Sequence, residues 1–76
     1  MTKNIKATSK EDIMMINREA TKVPYSVWVH GTDVLIDAKS LMGLFVLSPE
    51  DSLRLVVPDD VDSNKLFLKL SGVIGN

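Results

Sequence analysis

Val27-Trp28-Val29-His30-Gly31-Thr32-Asp33-Val34-Leu35-Ile36-Asp37-Ala38-Lys39-Ser40-Leu41-Met42-Gly43-Leu44-Phe45 sets the architecture of this chain. Its first part has period two, with Val27 and Val29 on one face and Trp28 and His30 on the other, as in a half-buried strand. Gly31-Thr32-Asp33 interrupts that pattern with turn residues, after which Val34 and Ile36 alternate with Leu35 and Asp37. The expectation is a β-hairpin with Val27, Val29, Val34 and Ile36 toward the core and Trp28 and Leu35 on the accessible side. A slip of one residue would exchange the two sets, so the buried face fixes the register. Residues 40 to 47 are too apolar for a loop and too few for an ordinary helix. They read as a short helix in which the Ser40 hydroxyl accepts the backbone N–H of Gly43, while Gly43 weakens the middle.

Upstream, residues 3 to 7 alternate as a strand, with Ile5 and Ala7 on one face and Asn4 and Lys6 on the other. Ser9 follows as an N-cap, and Asp12 three residues on completes an S-x-x-D variant of the capping box. Ile13, Ile16, Ala20 and Val23 then form one stripe of a helix from about Lys10 to Lys22, stopped by Pro24. Met14 and Met15 sit side by side on this helix, one expected inside and one at its edge. Downstream, Leu53, Leu55 and Val57 alternate with Ser52, Arg54 and Val56. Asp59-Asp60-Val61-Asp62 places carboxylates where the dipole of a last helix favours them, and Leu66, Leu70 and Val73 give that helix its buried stripe, with Phe67 and Ile74 at its edge. Pro24, Pro49 and Pro58 fall at joints between patterned segments. The order is βαββαβα, which predicts a single α+β domain over residues 1–76: a four-stranded antiparallel sheet with helices on one face, an open-faced sandwich.

A chain of 76 residues buries about 60% of its unfolded surface. Its 9 basic and 10 acidic residues give a net charge of −1. The basic residues are scattered rather than gathered in a stripe, which argues against nucleic acid as a partner. With no cysteine there is no disulfide, thiolate ligand or thiol nucleophile. No stretch approaches the ~18 apolar residues of a bilayer span, and the first twenty residues, with Lys3, Lys6, Lys10, Glu11 and Asp12, do not form a signal sequence. The expectation is a cytoplasmic protein without a membrane partner.

Ala38-Lys39-Ser40-Leu41-Met42-Gly43-Leu44-Phe45, following a hairpin and leading to a strand and a closing helix, resembles the A-K-S-[LI]-M-G-[LVM]-[MF] run of the bacterial HPr phosphocarriers. The likeness covers roughly residues 20 to 70, with trimmed loops before the first helix and around Ser48-Pro49-Glu50-Asp51. The resemblance implies the HPr-like open-faced β-sandwich. It also implies that Ser40 is a phosphorylation candidate for a dedicated kinase, and that Lys39, Leu41, Met42, Leu44 and Phe45 are partner-binding. The partners it implies are proteins: an enzyme of the sugar phosphotransferase system, HPr kinase or a transcriptional regulator. The other half of the family pattern departs. HPr proteins carry a histidine in a G-[LI]-H-x-R-P segment opening the first helix, and here Thr8-Ser9-Lys10-Glu11-Asp12 occupies that place. Ser9 is thus a degenerate phosphohistidine position.

The residues themselves agree with that division. A serine hydroxyl without a base is a poor phosphoryl acceptor, and two carboxylates in the first turn repel an incoming anion, so Ser9 reads as a plain cap. His30, the only imidazole, reads as a solvated histidine near the hairpin tip, and a lone histidine supplies no metal site. Ser40 is explained by capping alone or by phosphorylation, where the helix N-terminus and Lys39 would hold the phosphate. Leu41, Met42, Leu44 and Phe45 cannot all face inward from two turns of helix, so some of them form an exposed patch. On the sheet, Trp28, Leu35 and Val56 fall on the uncovered side, either as a patch that suits a partner or a dimer or under the stems of Arg54, Lys6 and Asp37. The expectation is a regulatory or adaptor protein, not an enzyme, with no cofactor and no metal, a monomer or weak dimer. The alternatives are an active phosphocarrier that uses Ser9 or His30, and a relic domain that keeps only the fold.

Overall fold

The computed structural model describes residues 1–47 and 52–75; the expected break at Pro49 and the trimmed loop around residues 48–51 lie outside the described residues. The elements run β1 (Thr2–Ile5), α1 (Lys10–Ala20), β2 (Trp28–His30), β3 (Leu35–Asp37), α2 (Leu41–Leu44), β4 (Leu53–Val56) and α3 (Asn64–Lys69). This is the expected βαββαβα order, and its antiparallel open sheet with three helices is the α+β architecture implied by the HPr resemblance.

The sheet order is β1-β4-β2-β3. Inward, Ile5, Val27, Val29, Leu53, Leu55 and Val57 are buried beneath Ile16 and Ala20 of α1 and Leu66, Leu70 and Val73 of the closing segment. The period-two reading of the strands and the 3.6-residue reading of α1 therefore meet in one core. Ile13 and Val23, at the two ends of the α1 stripe, are only partly buried, as are Phe67 and Ile74. Met15 packs at the edge of this core and Met14 is exposed, so neither methionine is fully inside.

The ends of α1 and β1, and the partners of the acidic run, differ from expectation for local reasons. α1 stops at Ala20, two residues before Lys22, where the Thr21 hydroxyl donates to the Arg18 carbonyl (2.8 Å) and the chain approaches Pro24. β1 ends at Ile5 because the next residues pair across the edge. Lys6 N–H donates to the Val73 carbonyl and Gly75 N–H to the Asn4 carbonyl (2.9 Å), while Ile5 bridges Ile74. Of the acidic run before α3, Asp62 accepts the Asn64 N–H (3.1 Å) but Asp59 turns to the Met1 ammonium.

Val34 is a correction. It is exposed rather than on the core side, because it closes the turn: Gly31 N–H donates to the Val34 carbonyl (2.9 Å). Its side chain lies on Gly31, where a Cβ would meet Val34 Cγ2 at 2.8 Å. No described residue has a positive φ, so glycine is required here for space and not for backbone conformation.

Candidate partner-docking site

β3 delivers the chain to α2 through two local bonds. Asp37 accepts the Lys39 N–H on its carboxylate and the Ser40 N–H on its carbonyl, both at 2.9 Å. Ser40 then leaves the extended region only after its hydroxyl has accepted the Gly43 N–H (3.2 Å), the N-cap geometry expected from the sequence. Gly43 fits tightly at this position: a Cβ there would lie 3.1 Å from both Ile36 Cγ2 and Ser40 Oγ.

Four residues of helix divide the apolar run sharply. Leu44 is fully buried and belongs to the core, which corrects its assignment to the partner surface: it is the buried residue of a helix that packs on α1 and β3. Leu41 is half-buried. Met42 is 85% exposed, Phe45 47% and Val46 69%. Lys39 makes a bond of its own within the chain. Its ammonium donates to the Val23 carbonyl (2.8 Å) beyond the end of α1, so it ties the segment entering α2 to the end of α1. Asn17 adds a second tie through its side-chain N–H to the Ala38 carbonyl (3.1 Å).

A groove continues from the patch. It is lined by Ala7, Thr8, Ser9 and Ile13 on the α1 side and by Phe45 and Leu47 on the α2 side. The structure therefore brings Ser9 and Phe45, far apart in sequence, to one concave surface. Ile13 in the groove and Val46 in the exposed patch are members that sequence reasoning missed. The unbroken apolar run from Leu44 to Leu47 is a signal for Val46, but Ile13 reads as core from periodicity alone.

Ser9 itself is occupied. Its hydroxyl accepts the Asp12 N–H (3.1 Å). The expected return bond goes elsewhere: the Asp12 carboxylate accepts the Thr8 N–H (2.9 Å) and Thr8 hydroxyl (3.3 Å) rather than the Ser9 N–H. The Thr8 N–H is chiefly responsible for holding the Asp12 carboxyl below its ordinary range, with the Thr8 hydroxyl and Ser9 helping against slight burial. The Asp12 carboxylate thus folds back over the residue before the cap, and with Glu11 it makes the start of α1 negative.

His30 lies on the outer side of the sheet, away from Ser9 and the helices, and its cross-strand neighbours are Arg54 and Leu35. No arginine adjoins His30 in sequence; β4 supplies one. Among the described residues, no group of three His, Cys, Asp or Glu could hold a metal ion, and no helix is long and apolar enough to cross a membrane. No family model matches the chain, and no curated protein or solved structure matches it either.

Proposed function

We propose that this chain is an HPr-like regulatory or adaptor protein of the cytoplasm that binds other proteins through the exposed face of α2 and performs no histidine phosphotransfer. The observation that carries the reading is the contrast between two helices that line one groove: around α2, Met42, Phe45 and Val46 stand exposed, while at the start of α1 the Asp12 carboxylate folds back onto Thr8. An apolar patch next to a concave surface suits a protein partner. A first turn bearing Glu11 and Asp12 repels a phosphoryl group, and no imidazole faces it. The HPr resemblance supplies the partner class, namely a phosphotransferase-system enzyme, HPr kinase or a transcriptional regulator. It also makes Ser40 the residue through which a kinase would switch binding. Phosphate on Ser40 adds close to two negative charges beside Met42 at a helix start that has no acidic residue in its first turn.

The test is direct binding with the purified candidate partners, comparing wild type with a Met42→Lys, Phe45→Lys double variant. Both changes fall on exposed side chains, so the variant folds and loses binding. Equal affinity for the same partner would place the docking surface elsewhere.

A further inference from the structure

The outer face of the sheet carries a pattern that no helix uses and that stands apart from the α2 reading. In register, Val56, Trp28 and Asp37 form one row across β4, β2 and β3, and Arg54, His30 and Leu35 form the next. All six side chains point away from the helices. Trp28 is 37% exposed and Leu35 54%. The Lys6 stem lies against Gly75 at the β1 edge, so it does not shield Trp28. The block has apolar residues at two opposite corners, Val56 and Leu35, and opposite charges at the other two, Arg54 and Asp37. Strands spaced about 4.8 Å apart, with same-face residues about 6.8 Å apart along each strand, make it a rectangle of roughly 9.6 by 6.8 Å, small enough for long side chains to meet across a diagonal.

We propose that this face packs on the same face of a second copy of the chain, about a two-fold axis running along the Val56–Leu35 diagonal. A two-fold lying between two facing surfaces pairs each residue with its reflection across the axis. Along this diagonal, Val56 meets Val56 and Leu35 meets Leu35 of the second copy, Arg54 falls between Trp28 and Asp37, and Asp37 falls between His30 and Arg54, twice over. An axis along the strands would set Arg54 against Leu35, an axis across them would set it against Val56, and the other diagonal would set it against itself. Only one axis therefore satisfies both charges and both apolar corners, and this makes the face complementary to itself. The strands of the two sheets then cross at roughly 70°, nearer the orthogonal than the aligned way for sheets to pack. Strands of three or four residues give a small interface, so the dimer is weak and forms at high concentration.

The experiment is sedimentation of the full chain from micromolar to millimolar concentration, read together with the emission of Trp28, its only tryptophan. The expected result is a dimer that grows with concentration while the emission shifts to the blue. Arg54→Asp and Asp37→Arg should each weaken self-association by about tenfold or more, and an equimolar mixture of the two should restore it, because each copy then presents the charge the other lacks. Asp37 also holds the Lys39 N–H, so Leu35→Asp serves as a second variant: it sits on the axis, is exposed in the monomer, and should abolish the dimer while leaving the circular dichroism spectrum unchanged. A chain that stays monomeric with constant emission overturns the proposal. So does a dimer that survives Leu35→Asp, or a mixture no more associated than its components.

Discussion

Ser9 and Ser40 use one local device to opposite ends. Both sit in extended backbone, and each hydroxyl accepts the N–H three residues on, at 3.1 and 3.2 Å. The first opens an eleven-residue helix whose first turn holds Glu11 and Asp12, and Asp12 folds back onto Thr8. The second opens a four-residue helix with no acidic residue in its first turn and with Met42, Phe45 and Val46 exposed around it. A serine before a helix says only that a helix starts. The residues of the first turn decide whether that start carries negative charge and a folded-back carboxylate, as in α1, or neither, as in α2.

The difference can be broken most forcefully at Leu44. If α2 is a docking element held by one core anchor, Leu44→Ala should cost about 2–5 kcal/mol, measured by urea denaturation. Met42→Ala should change stability by less than about 0.5 kcal/mol. Comparable losses from the two would mean that α2 has no exposed face. The next effect is at the start of α1, where Ser9→Ala should lower stability by ~1 kcal/mol; an unchanged denaturation midpoint would mean that the Ser9 hydroxyl adds nothing to the helix start.

The carboxylates give a third effect. Burial works against the charge of Glu19, but hydrogen bonds from Lys22 and Arg18 (3.3 and 3.4 Å) outweigh it, so its carboxyl, like that of Asp12, titrates below its ordinary range. In the unfolded chain both groups take up protons first as pH falls. Their contribution is therefore complete above the ordinary carboxylate range and is lost as pH falls through the lower folded values. Stability should be flat near neutrality and decline in acid, and Asp12→Asn should flatten part of that decline in a pH series of thermal melts. The smallest effect belongs to Ser40→Asp. An aspartate keeps an acceptor at an N-cap, so stability should stay within about 0.5 kcal/mol while partner affinity changes. A large loss of stability would mean that Ser40 is chiefly structural.

Much of the fold is legible in the chain because it is local. The alternation of Val27 and Val29 with Trp28 and His30 marks the buried face of β2, and Ser9 and Ser40 announce their helices. Leu44 escapes a sequence reading because a four-residue helix presents too few positions for periodicity to say which residue anchors it. Val34 escapes because the turn takes it out of the strand. The Lys39 bond escapes because the long stem reaches Val23, sixteen residues back. The pairing of His30 with Arg54, and of Ser9 with Phe45 across the groove, comes from strand order and helix packing, which no stretch of sequence carries by itself.

If the α1 start is closed to phosphate while the α2 start is open, two phosphorylation reactions separate them. The purified chain is incubated with phosphoenolpyruvate and enzyme I, and separately with ATP and HPr kinase, and any phosphoryl group is located by mass spectrometry. No transfer is expected in the first mixture, and a single acid-stable phosphate on Ser40 in the second. An acid-labile phosphoryl group on His30, or a phosphate on Ser9, would contradict the contrast between the two helix starts.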